Sequence, residues 1–221
     1  MKQGYTHISM VLDKSGSMNS ILKDTIGGFN GFLQSQKETP GEATFSLTTF
    51  NTAVMLDYGF KDIASAEELT VDSYRPGGGT ALYDAIGMTI VGCGKKLADM
   101  DETLRPEKVI IVILTDGEEN SSREYSYEAV QKLIKEQSEV YNWEFVFLGA
   151  NLDAVALGAT LGIKGGMSMT FAANSDGASA ALHSMGTKMS AYRMSSVAET
   201  RSANYTFFDQ TDRDAQEQAG A

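Results

Sequence analysis

One cysteine, Cys93, stands in 221 residues. No intrachain disulfide and no cysteine-based zinc site can form, a pattern that fits a reducing compartment. Basic residues are also short: 18 Lys and Arg against 29 Asp and Glu leave a net charge of −11. Phosphate neutralisation needs clustered cations, so nucleic acid is excluded as a partner, and so is docking on anionic lipid. No stretch reaches the roughly 18 to 20 apolar residues that span a bilayer. No basic segment followed by an apolar run marks a signal peptide, which predicts a cytoplasmic location (the host cytoplasm for a phage-encoded chain). The two histidines, His7 and His183, lie far apart and read as structural residues, neither metal ligands nor catalytic bases. No G-x-G-x-x-G follows the first strand, and no Lys-Ser/Thr follows Gly77-Gly78-Gly79-Thr80, which argues against a nucleotide cradle. No internal repeat is evident.

What is present is a chain long enough for one domain with a sizeable core, 42% apolar. His7 to Leu12 reads as a strand apolar on nearly every residue, as when helices cover both faces. Asn19 to Gln36 carries a helical stripe (Ile21, Leu22, Ile26, Phe29, Phe32, Leu33), with Asn19 or Ser20 as cap. Its glycines, Gly27, Gly28 and Gly31, are expected to let it approach the sheet. Ala43 to Phe50 and Ala53 to Tyr58 flank Asn51-Thr52 and predict an antiparallel hairpin. Ala81 to Met100 is a helix. Val109 to Leu114 is a central parallel strand. Tyr127 to Tyr141 is a helix, Glu144 to Leu148 a strand, Asp153 to Leu161 a short helix, and Met167 to Phe171 the last strand. A final helix over Ala178 to Ala198 closes a domain spanning residues 1–199. Residues 200–221 read as a polar, loose tail, with Tyr205, Phe207 and Phe208 its exceptions.

Alternating strands and helices imply an open α/β sheet with right-handed crossovers. Ligands in such sheets bind beyond the C-terminal strand ends, where the strand order reverses. Asp13 and Asp116 each follow a strand there. Asp13-Lys14-Ser15-Gly16-Ser17 places a carboxylate and two hydroxyls at alternate positions of a tight turn. By itself this is equally a turn and helix cap. With Thr80 on its Gly-rich loop, the candidate set becomes Asp13, Ser15, Ser17, Thr80 and Asp116. These are hard oxygen donors, suited to Mg²⁺ or Mn²⁺. Hydroxyl ligands leave such a cation electrophilic and open to an added anion, for which a partner's carboxylate is the natural candidate.

D-x-S-G-S at 13 to 17, Thr80, and T-D-G at 115 to 117 resemble the metal-ion-dependent adhesion site of von Willebrand factor A domains, over roughly Tyr5 to Ala172. The resemblance is nearest to small stand-alone bacterial and phage members, including the tellurite-resistance type. It implies a doubly wound, mostly parallel six-stranded sheet in the order 3-2-1-4-5-6 with one antiparallel edge strand. It also implies Mg²⁺ (or Mn²⁺ or Ca²⁺) near Ser15, Ser17 and Thr80, with Asp13 and Asp116 ligating mostly through water. The function expected is a non-enzymatic, protein-binding module whose partner supplies Asp or Glu to the metal. Two alternatives remain open at this point: a metal-dependent phosphoester hydrolase, and a structural component of a phage particle or ATPase-associated assembly. Arg75 is a candidate for steering an acidic partner, and Glu118, Glu119, Asn120 and Arg123 for touching one, against a plainly solvated loop. In relatives the last helix can slide, and Ala178, Ala181 and Gly186 would ease such movement; a fixed helix is the simpler expectation. Oligomeric state is not readable.

Overall fold

The computed structural model describes residues 1–150, 153–202 and 205–220. Six strands form one sheet: β1 (Lys2–Asp13), β2 (Glu42–Phe50), β3 (Val54–Asp62), β4 (Pro106–Thr115), β5 (Glu144–Ala150) and β6 (Ser168–Phe171). Their order is β3-β2-β1-β4-β5-β6. All neighbours are parallel except β2 and β3, the antiparallel hairpin. The fold class and strand order are those expected. β1 and β4 sit at the centre, and from Ile110 to Leu114 no residue of β4 is more than 1% exposed. Their β-branched and Leu side chains fill both faces, as buried parallel strands require.

The helices are α1 (Leu22–Glu38), α2 (Leu82–Ala98), α3 (Tyr127–Val140), α4 (Ala154–Thr160), α5 (Ser175–Met194), α6 (Val197–Thr200) and α7 (Gln210–Ala219). Strand alternation assigns them to faces. α1 lays Phe29 and Phe32 against Phe45. α2 lies over Ser46 and Thr48, which point the other way. α5 joins α1 and α3 joins α2.

Three local expectations need correction. Asn19 and Ser20 do not cap α1. A 3-10 turn, Gly16–Ile21, intervenes, and their side chains donate instead to the carbonyls of Gly16 and Ser17. The glycines of α1 do not face the sheet either. A Cβ on Gly28 would lie 2.4 Å from Leu182 Cδ1 of α5, whereas Gly27 and Gly31 face open space. The close approach is helix to helix.

The stretch after Thr200 is not a loose tail where it is described. Phe207 and Phe208 are buried, and their amides donate to the Gly166 carbonyl. Asp209 then opens α7 with a capping box completed by Asp212. Lys188 of α5 pairs with both carboxylates. Arg213 donates to the carbonyls of Gly165 and Ser168 at 3.1 Å. The helix is polar in sequence because polar contacts with distant elements hold it. Positions 203, 204 and 221 of that stretch lie outside the described residues.

α5 is pinned at its C-terminal end. The Lys108 ammonium, rising from β4, donates to the carbonyls of Tyr192, Arg193 and Ser195 at 2.7–2.8 Å. Helix C-termini leave such carbonyls unpaired, and a cation there also meets the negative end of the helix dipole. Arg193 in turn donates to the carbonyls of Gln36, Thr39 and Gly41, at the end of α1 and the turn after it.

Candidate metal centre

β1 delivers Asp13 to the sheet's C-terminal edge, and the chain then turns sharply. Three loops are laced to one another there by main-chain bonds. Gly16 N–H donates to the Gly78 carbonyl at 3.1 Å, Gly77 N–H to that of Lys14 at 2.9 Å, and Ala81 N–H to that of Asn51 at 2.7 Å. Gly78 has φ +83°, a left-handed conformation that suits glycine. The Asn51 amide reinforces the lacing through the Gly77 carbonyl at 2.8 Å.

The five predicted residues come together on this frame. Asp13 Oδ1 accepts from Ser15 N–H at 2.6 Å. The hydroxyls of Ser15 and Ser17 are 3.0 Å apart. Ser17 Oγ donates to Asp116 Oδ1 at 2.6 Å. The Thr80 and Ser17 hydroxyls both face Gly117, where an added Cβ would lie 3.4 and 3.6 Å from them. Asp13, Ser15, Thr80 and Asp116 are buried. Ser17 is exposed, so the cluster opens to solvent on its side.

Burial dominates the electrostatics of both carboxylates. Burial pushes the Asp13 carboxyl up to about 6, against hydrogen bonds from Thr115 and Ser15, and Asp116 nearby adds to the rise. Burial raises Asp116 as well, opposed chiefly by Ser17. Neither carboxylate has an ion-pair partner among the described residues. Two unpaired carboxylates beside three hydroxyls form an all-oxygen donor set that fits one hard divalent cation. No group of three His, Cys, Asp or Glu gathers among the described residues, so hydroxyls must carry part of any ligation.

Four residues outside the candidate ligand set support it, and of these only Thr115, in the T-D-G of 115 to 117, belongs to a motif. Tyr74, fully buried, donates its hydroxyl to the Asp13 carbonyl. Thr115 donates to Asp13 Oδ2 at 2.6 Å and fixes the carboxylate's plane. Asn120 Oδ1 accepts from Thr80 N–H at 2.8 Å. Glu119 accepts from the amides of Tyr83, Ser121 and Ser122 at 2.7–2.9 Å, bracing the start of α2. Asn120 and Glu119 therefore hold the scaffold; neither is a free loop residue. Arg75 is occupied by Asp72 at 2.5 Å on the surface. His7 and His183 belong elsewhere: His7 is sealed beneath β3, stacked on Phe60, and His183 lies on α5.

In an open α/β domain, an oxygen-lined crevice at the topological switch point stands where such folds bind their ligands. The chain belongs to the von Willebrand factor type A domain family, whose profile matches residues 7–210. Such domains serve as protein-interaction modules. No curated protein sequence matches significantly. Among solved structures the chain is similar to proximal thread matrix protein 1 of the mussel byssus. That match has 17% identity and a TM-score of 0.57, over 85% of this chain and 46% of that one. The mussel protein is also known with a zinc-occupied MIDAS (metal-ion-dependent adhesion site) motif. The von Willebrand factor domain of the pilus tip protein Mfa5 from Porphyromonas gingivalis aligns at 10% identity and TM-score 0.60, over 86% and 97%. The PilB minor pilin of Streptococcus sanguinis aligns at 12% and 0.59, over 84% and 61%. Identities this low carry the fold alone. The chain spans about half the length of the mussel protein.

Proposed function

We propose that this protein captures a protein partner through Mg²⁺ or Mn²⁺ held by Asp13, Ser15, Ser17, Thr80 and Asp116, the partner contributing an Asp or Glu. The observation that carries this is the continuous contact chain from Asp13 through Ser15 and Ser17 to Asp116, with Thr80 beside it. The cation, when bound, supplies an electrophile with room for an anionic oxygen. The chain's own residues do the rest. Asp13 and Asp116 provide negative charge, and Ser15, Ser17 and Thr80 provide neutral oxygens that leave the cation's charge largely uncompensated. Tyr74, Thr115 and Asn120 hold these groups in place. The exposed side at Ser17 is where a partner enters.

The reading places the protein in a reducing, cytoplasmic setting, supported by its lone buried Cys93. It also places it among the small stand-alone members of the family, of the tellurite-resistance type. No observation at the site favours hydrolysis: neither histidine is among the residues that form it. Affinity capture with wild-type protein in Mg²⁺, in chelator, and with Asp13→Ala tests the proposal. Partners should be retained only in the first condition. The same partners recovered in all three would overturn it.

A further inference from the structure

Under α2, on the face of the sheet away from α1 and α5, lies a half-open cavity of about 600 Å³. It shares no lining residue with the metal centre. Its floor is small and polar: Ser9 of β1 with its register partner Ser46 of β2, and Thr48 beyond. Side chains at such positions of a central sheet are ordinarily branched and apolar and fill the space beneath the helix.

The floor hydroxyls differ in what they do. Ser46 accepts from Phe60 N–H at 2.8 Å and meets His7 Nε2 at 3.3 Å. Thr48 accepts from Thr89 of α2 at 3.2 Å. Ser9 is only 1% exposed, and its hydroxyl finds no hydrogen-bond partner among the described residues. It is not sealed either: the one enclosed, unpartnered side-chain oxygen among those residues belongs to Ser168. Ser9 Oγ therefore opens into the cavity. A ligand hydroxyl or carbonyl placed there would give Ser9 the hydrogen-bond partner that the surrounding protein does not.

The walls are apolar, from Val54 and Leu56 of β3 and Met88 of α2. A bulge in β3 opposite Ser46 turns Phe60 inward, with φ +47°, to stack on His7 at 3.7 Å and close one end. Gly92 leaves the helix side open, since a Cβ there would meet nothing within 4 Å. Lys96, exposed and in no ion pair among the described residues, stands at the rim. The volume falls within the range of about 300–1,000 Å³ usual for small-molecule sites.

We propose that this cavity binds an amphipathic organic anion. Its apolar body packs on Val54, Leu56 and Met88, a hydroxyl or carbonyl at its inner end pairs with Ser9, and a carboxylate at its outer end meets Lys96. The site is independent of the metal centre.

Fluorescence titration with 6-hydroxy-2-naphthoate tests this, with 2-naphthoate as the ligand lacking the inner hydroxyl. Saturable binding of the hydroxy acid is expected. Ser9→Val and Gly92→Leu should each weaken it at least tenfold, and Lys96→Gln several-fold. 2-Naphthoate should bind about tenfold more weakly than the hydroxy acid, with no further loss in Ser9→Val. Ser9→Val puts a strand-favouring residue on the floor, and an unchanged melting temperature separates lost binding from lost fold. No saturable binding, or equal affinity in Ser9→Val and Gly92→Leu, would overturn the proposal. So would self-association of the free protein abolished by Leu56→Glu, because a second copy would then occupy the groove.

Discussion

Ser17 Oγ donates to Asp116 Oδ1 across 2.6 Å, joining loops 99 residues apart in sequence. This bond closes an acidic cluster whose carboxylates pair with no cationic side chain among the described residues. It also identifies what a metal must compete with.

Cation binding should therefore stabilise the fold. At a Mg²⁺ concentration a hundredfold above its dissociation constant, linkage gives about 2.7 kcal/mol. That corresponds to a rise of roughly 5–10 °C in melting temperature for a chain of this size. Scanning calorimetry with Mg²⁺ and with chelator measures it. Ser17→Ala and Asp116→Ala should each abolish the difference; a shift that persists in both variants would place the ion elsewhere.

Asp13→Asn should separate stability from function. Burial disfavours the Asp13 charge, with a carboxyl pushed up to about 6. An Asn side chain can accept from Ser15 N–H and donate to Thr115 Oγ1, whose own proton already has the Gly117 carbonyl as an acceptor at 3.1 Å. In chelator at pH 7 the variant is expected to be at least as stable as the parent in urea, and to show no response to Mg²⁺.

Acid should weaken the protein through His7. Burial holds its folded-state value near 3, against 6.5 for a free imidazole. The unfolded chain therefore binds the extra proton first, and stability present above pH 6.5 is lost as pH falls, by up to about 1.4 kcal/mol per unit. Asp13 works in the opposite sense: its folded value lies above its free value, so protonation below about pH 6 adds stability. Urea unfolding between pH 7.5 and 4.5 in the Asp13→Asn background removes the Asp13 contribution, and His7→Gln in that background should reduce the acid-destabilising slope.

Helix α5 should stay where it is. Lys108→Met removes three hydrogen bonds to the carbonyls that end α5. Charged hydrogen bonds of this kind contribute about 1.5–3 kcal/mol each before the costs of burying the ammonium are deducted. A net loss of about 2–4 kcal/mol is expected, with faster amide exchange over the C-terminal turns of α5. In the parent, exchange protection of α5 should be the same with and without Mg²⁺; a large change would show that the helix moves despite its clamp.

Two adjacent glycines of α1 should respond oppositely to alanine. Gly27→Ala meets open space and should stabilise by about 0.5–1 kcal/mol through helix propensity. Gly28→Ala drives a methyl into Leu182 and should cost about 1–3 kcal/mol through overpacking. Chemical denaturation of the two variants gives the comparison.

Much of this molecule is written locally. The unbroken apolar runs of β1 and β4, the Asn51-Thr52 hairpin and the turn chemistry after Asp13 each depend on neighbouring residues, and each is legible from the chain. The proximity of the candidate-site residues is legible for a related reason: strand ends at a switch point converge, which pairs Asp13 with Asp116. Other features are not local. Tyr74, Thr115, Glu119 and Asn120 hold the site through bonds to main-chain groups or side chains whose positions no spacing predicts. α7 looked like solvent-facing chain because its anchors, Lys188 and Phe207 with Phe208 against Gly166, come from other elements. Gly28 was read as facing the sheet because a sequence does not say which neighbour a small residue meets. Sequence by itself determined the periodicities and the oxygen-rich turn, and the family resemblance implied the strand order. Tertiary structure alone decided which carboxylates are buried without a counter-charge and which hydroxyls, Ser9 and Ser168, find no partner among the described residues, because desolvation and hydrogen-bond satisfaction depend on every surrounding element at once.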